Sequence, residues 1–139
     1  MFLYVANSDS SNVSAYRSDE NGILSPVAGS PFPTGLNPFS VAVDPLGRFA
    51  YVANNADHNV SGYRIGENGA LTPVAGSPFP AGLARSVAVD LLGRFVYLAN
   101  AASNNNVSAY RIGANGALTP VAGSPFSAGV LPISVTVSP

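Results

Sequence analysis

Tyr51-Val52-Ala53-Asn54 decides the fold, because the same stretch stands at Tyr4-Val5-Ala6-Asn7 and, with one conservative change, at Tyr97-Leu98-Ala99-Asn100. Two further stretches keep the same spacing. Asn59-Val60-Ser61 recurs from Asn12 and Asn106, each time leading into a Tyr-Arg pair, and Gly76-Ser77-Pro78-Phe79 recurs from Gly29 and Gly123. The interval is 46 or 47 residues. A period of this length marks an architecture in which each repeat is one supersecondary unit that buries its faces against its neighbours.

The middle repeat reads as four short strands. Strand A runs from Ser40 to Asp44 and turns at Pro45-Leu46-Gly47; strand B runs from Phe49 to Asn54 and ends in the polar loop Asn55 to His58. Strand C runs from Asn59 to Ile65, and strand D from Ala70 to Val74, with a longer link from Gly76 to the next strand A. Four strands per repeat, without a 3.6-residue apolar period, predict an all-β fold of β-propeller blades. Strands A and B alternate only weakly, as expected of sheets sandwiched between blades. Strand D carries a proline in every copy, Pro26, Pro73 and Pro120. Proline cannot donate to a ladder, so D is the outer edge and A lines the channel.

The resulting order is strands B, C and D at 1–28, complete blades at 40–75 and 86–122, and a closing strand A at 134–139. Three blades are too few to surround an axis, which takes about four to eight. Pairing between identical chains is therefore expected to close the ring. A homodimer gives six blades, with a homotrimer of nine as the alternative, and the final strand A of one chain pairs with Phe2 to Asn7 of the next.

Composition agrees with extensive burial. Hydrophobic residues make up 47% and charged residues 9%, against about a quarter in ordinary domains. The longest largely apolar stretch, Phe95 to Ala102 with only Asn100 interrupting it, is far shorter than a spanning helix. All six basic residues are Arg, dispersed along a chain of net charge −1, so neither nucleic acid nor a membrane surface is an expected partner. Cysteine is absent, which excludes disulfides and thiolate chemistry, and no cofactor or metal is expected. Residues 1–30 lack a basic start followed by an apolar run, so no leader is expected, while an extracytoplasmic origin stays open.

The Tyr-Val-Ala-Asn core, the Asp44 to Phe49 turn and the Gly69 to Val74 segment resemble the bacterial lactonase-like, YVTN-type β-propeller repeats. The resemblance covers essentially the whole chain and implies the propeller fold. Members similar to phosphogluconolactonase have seven blades in one chain, and the His, Glu and Arg cluster expected in a lactonase channel has no motif match here. No catalytic residue is carried over.

Departures from the repeat point to candidate binding groups at the channel mouth, on the face of the B–C and D–A loops. His58, the only histidine, lies beside Asp57 in a B–C loop and has the chemistry of a general base, or the ordinary role of a loop residue. Arg85 reads as standing where other copies carry Pro38 and Pro132, which would set a guanidinium at the rim, suited to a carboxylate or phosphate. The Asn-rich loops lack the spaced acids of a calcium site. Arg48, Arg94, Arg17, Arg64 and Arg111 recur on the opposite face and are expected to pair with Asp44, Asp90, Asp19, Glu20 or Glu67. The near-identity of the repeats points to recent blade amplification, a fragment or an engineered sequence. Three functions follow: a non-enzymatic scaffold or fragment that assembles into a ring, a lactonase-like hydrolase, or a sugar- or anion-binding module.

Overall fold

A computed structural model describes residues 1–139. It contains fourteen strands and no helix. The first blade holds β1 (Phe2–Asn7), β2 (Asn12–Ser18), β3 (Leu24–Pro26) and β4 (Phe32–Pro33). The second holds β5 (Pro38–Val43), β6 (Phe49–Asn54), β7 (Asn59–Ile65), β8 (Leu71–Pro73) and β9 (Phe79–Pro80). The third holds β10 (Ala84–Val89), β11 (Phe95–Asn100), β12 (Asn106–Ile112), β13 (Leu118–Pro120) and β14 (Phe126–Ser127). Every pairing is antiparallel, and each sheet follows chain order from the inner to the outer strand.

The outer strand differs from the single piece expected at Ala70 to Val74. It is split, with β8 on the Tyr63–Ile65 half of β7 and β9 on the Asn59–Val60 half. The Gly-Ser-Pro-Phe segment lies between the pieces, and Ser77 Oγ accepts from the Gly62 amide at 2.9 Å where the ladder is interrupted. Ser30 and Ser124 do the same for Ala15 and Ala109, at 2.8 and 2.9 Å. A side-chain oxygen thus satisfies a backbone donor that the split would orphan. Pro26, Pro73 and Pro120 lie in these outer pieces, as their missing amide requires.

The hydrophobic core lies between blades. One cluster joins Phe49, Tyr51 and Val60 of the second blade to Val87, Val96, Leu98 and Leu118 of the third. A smaller one joins Val13 of the first blade to Val52, Tyr63 and Leu71 of the second. All six residues of β6 are buried, as a strand covered on both faces must be.

Polar contacts repeat across each junction. Tyr4 and Tyr51 hydroxyls donate to the carbonyls of Gly69 and Gly116 in the following blade, both at 2.8 Å. Tyr63 and Tyr110 hydroxyls donate back to Pro33 and Pro80, at 2.7 and 2.6 Å. Burial raises the Tyr4, Tyr51, Tyr63 and Tyr110 hydroxyls above the ordinary tyrosine value. At Tyr51 the charge of Asp44 adds to the effect and Arg48 opposes it.

Residues 134–139 pair with no strand of this chain, yet they occupy a defined place. The Val135 amide donates to Ser86 Oγ at 3.2 Å, repeating the Val87 amide to Ser40 Oγ contact at 3.1 Å between β10 and β5. The segment therefore lies beside β10 as β10 lies beside β5, in the position of a fourth blade's innermost strand.

Candidate functional site

The inner strands reach the mouth through a bulge. In β5 the register with β6 shifts between Pro38 and Ser40, and in β10 the register with β11 shifts between Ala84 and Ser86. The bulged residues are Phe39 and Arg85. Because Ala84 pairs with Asn100 as Pro38 pairs with Asn54, Ala84 is the counterpart of Pro38. Arg85 stands in the place of Phe39 and Ile133, a correction to the alignment drawn from sequence, caused by a link one residue shorter.

A bulge aims a side chain out of the ladder. The Arg85 guanidinium lies 5.4 Å from the centroid of the Phe39 ring, and Ile133 is exposed at the next position around the arc. The mouth thus carries one cation flanked by apolar groups. A cation over an aromatic face is worth about 0.5–1 kcal/mol at an exposed site.

Asp57 is engaged with the backbone. Its Oδ2 accepts from the Leu36 amide at 2.8 Å and fixes the link into β5. Asn104 Oδ1 performs the same task for Leu83 at 3.0 Å. Glycine is required beneath these loops, since a Cβ on Gly35 would stand 2.8 Å from Asn54 and Asp57, and one on Gly82 would stand 2.9 Å from Asn100 and Asn104.

His58 is exposed and has φ of 53°, a left-handed position shared with Ser11 and Asn105 at the ends of the equivalent loops. Its carbonyl accepts from the Ala81 amide at 2.9 Å. Asn55 Nδ2 donates to the Ala84 carbonyl at 3.2 Å, tying the same loop to the residue before Arg85. His58 and Asp57 therefore share the face of Arg85, and no side-chain hydrogen bond or ion pair joins the three.

Sequence reasoning missed two buried polar groups close to this face. Asn54 and Asn100 are buried, and their Nδ2 atoms donate to Asn59 and Ser61, and to Asn106 and Ser108, at 2.7–2.8 Å. Their Oδ1 atoms have no partner. The signal was present in the last residue of each Tyr-x-Ala-Asn stretch.

On the opposite face the arginines divide into two sets. Arg48 Nε donates to Asp44 Oδ2 at 2.7 Å, and that carboxylate also accepts from the Arg48 amide at 2.6 Å. Arg94 and Asp90 repeat the pair more loosely at 3.5 Å. Burial pushes the Asp90 carboxyl up, but hydrogen bonds from the Phe95, Arg94 and Leu92 backbone and from the Arg94 side chain leave it below the ordinary aspartate value. Arg64 and Arg111 make no ion pair and lie over Phe49 and Phe95, at 5.3 and 4.9 Å, rings that Arg48 and Arg94 also approach at 5.4 and 5.5 Å. Arg17 lies over Phe2 at 5.9 Å.

The lactonase family, described as a seven-bladed β-propeller, matches residues 2–131. The chain belongs to that family. No curated relative matches it. Among solved structures, this lactonase-family chain is similar to a 6-phosphogluconolactonase candidate from Bacteroides fragilis, with 20% identity and a TM-score of 0.84 over 96% of this chain and 37% of that one. It is similar to the periplasmic gluconolactonase of Pseudomonas aeruginosa, with 19% identity and a TM-score of 0.80 over 94% of this chain and 38% of that one. It is also similar to Kuenenia stuttgartiensis hydrazine synthase, with 17% identity and a TM-score of 0.76 over 99% of this chain and 36% of that one. At such identities the likeness carries the fold alone. The chain spans less than two-fifths of the length of these three structures.

Proposed function

We propose that this lactonase-family chain is a non-enzymatic propeller scaffold that assembles with further copies of itself into a closed ring, two chains supplying six blades. The observation that carries the reading is the position of 134–139, set beside β10 through Ser86 Oγ with its outer edge unpaired. A segment so placed is suited to accept a ladder from another blade. The groups at the mouth support a structural role, since Asp57 fixes a link and His58 occupies a turn position that Ser11 and Asn105 share. Three blades do not divide seven, so identical copies depart from the family's number. A six-blade ring needs about 60° between blades against about 51° for seven, within the span of blade numbers that propellers adopt.

The family match favours a second reading, a lactonase-like hydrolase in which Arg85 polarises a lactone carbonyl and His58 activates water. The bulge that presents Arg85 between Phe39 and Ile133 also suits a sugar or anion held by the mouth. Incubation of the assembled protein with gluconolactone and its 6-phosphate tests the choice. Hydrolysis no faster than in buffer supports the scaffold. Turnover that disappears in Arg85→Ala or His58→Ala overturns it.

A further inference from the structure

The two outer faces of the three-blade arc each lack the neighbour that the inner faces have, and what one lacks the other carries. On the first blade, Leu3 and Val5 are 39% and 41% exposed, whereas their counterparts Val96 and Leu98 are fully buried against the second blade. Leu24 is 46% exposed where Leu71 and Leu118 are almost wholly covered. On the third blade, Phe95, Tyr97, Val107, Val135 and Val137 line a concave space of about 710 Å³.

The specific contacts are matched as well. Phe2 and Phe49 press on Gly69 and Gly116 so closely that a Cβ there would stand 2.5–2.6 Å from the ring, while Gly22, with the same positive φ, has nothing within 4 Å. The corresponding ring on the outer face of the third blade is Phe95. Tyr4 and Tyr51 hydroxyls find the carbonyls of Gly69 and Gly116; the next hydroxyl in the series is Tyr97, and the unused carbonyl is that of Gly22. Tyr63 and Tyr110 find Pro33 and Pro80, which leaves Tyr16 and the Ser127 carbonyl as the remaining pair. Gly35 and Gly82 lie over Asn54 and Asn100, and Gly129, where an added Cβ would meet nothing within 4 Å, is the counterpart for Asn7.

From this repetition we infer that the third-blade face of one copy binds the first-blade face of a second copy head to tail, with Phe95 on Gly22, Tyr97 on the Gly22 carbonyl and Tyr16 on the Ser127 carbonyl. The inference rests on the self-assembly reading and adds its register. Ser40 pairs with Ala53, Val41 with Val52 and Ala42 with Tyr51. Carried across the junction, Ser134 faces Ala6, Val135 faces Val5 and Thr136 faces Tyr4 of the second copy. The contact is heterologous, so it closes a ring only when the rotation per chain permits and otherwise extends.

Cysteine trapping reads the register directly, because the chain has no cysteine of its own. Directly opposed residues bring their Cβ atoms to about 4.5–5.5 Å, near enough for a disulfide after a small shift. Ser134→Cys protein and Ala6→Cys protein are mixed under mild oxidation and resolved on a non-reducing gel, with the solution mass of the same mixture measured in parallel. The expected result is a covalent dimer in the mixture, none from either variant alone, and far less when Val5→Cys replaces Ala6→Cys, since Val5 points to the other face. A dimer from either variant alone overturns the head-to-tail pairing. An oligomer by mass that traps no disulfide overturns the pairing while leaving self-assembly standing. A monomer overturns both.

Discussion

Replacing Gly116 with alanine separates the contact between blades from the intrinsic demand of the turn. Gly116 has φ of 86°, and a Cβ there would meet Phe49 at 2.6 Å and Val74 at 3.0 Å. Phe49 cannot retreat easily, being almost fully buried, with the Arg48 and Arg64 guanidinium groups 5.4 and 5.3 Å from its ring centroid. The left-handed backbone costs alanine about 1–2 kcal/mol, and overpacking adds about 1–3 kcal/mol, for a loss of roughly 2–5 kcal/mol. Gly22→Ala is the control, with φ of 80° and no atom within 4 Å, so it loses only the backbone contribution in the unassociated chain. Urea unfolding of both variants at low protein concentration gives the comparison, read from the midpoint at constant slope. Equal losses at the two positions would refute the claim that Phe49 seats on Gly116.

Tyr51→Phe should lose about 1–3 kcal/mol by stranding the Gly116 carbonyl, while Tyr97→Phe should be nearly neutral in the unassociated chain; the same unfolding assay decides. Asp44→Ala should cost about 2–4 kcal/mol, because the buried carboxylate satisfies two backbone amides and the Arg48 guanidinium, and Asp90→Ala should cost less. The lowered Asp90 carboxyl stabilises the fold above the ordinary aspartate value of 3.8, and this contribution is lost as pH falls through the folded-state value, so Asp90→Asn should flatten the acid limb of the stability profile. The buried tyrosines act in the opposite direction. With hydroxyls raised above 10.0, their stabilisation is complete below that pH and lost as pH rises past it, which a phenolate absorbance titration followed alongside unfolding would register.

Blade number, strand order and the outer position of the prolines were legible because four-strand repeats recur in chain order, and a recurring proline can only sit at an edge. The split of the outer strand was not, since Gly-Ser-Pro-Phe has the composition of a link; only the serine hydroxyl that replaces a ladder acceptor distinguishes it. The place of Arg85 was misread because the link before β10 is one residue shorter, and a repeat aligned through a link loses register that the strand beyond it keeps. Charge alone gives Arg64 and Arg111 acidic partners, whereas in the fold neither forms an ion pair and each lies over a ring, Phe49 or Phe95. Sequence placed His58, Asp57 and Arg85 on one face, but the hydrogen bond from Leu36 to Asp57 joins residues 21 apart and has no local signature.

The absolute mass of the protein in solution, measured by light scattering across a range of concentrations, tests the central claim most directly. The account predicts twice the chain mass over a broad range, with the outer faces of the first and third blades covered. A monomer that keeps its strand content at every concentration would contradict it.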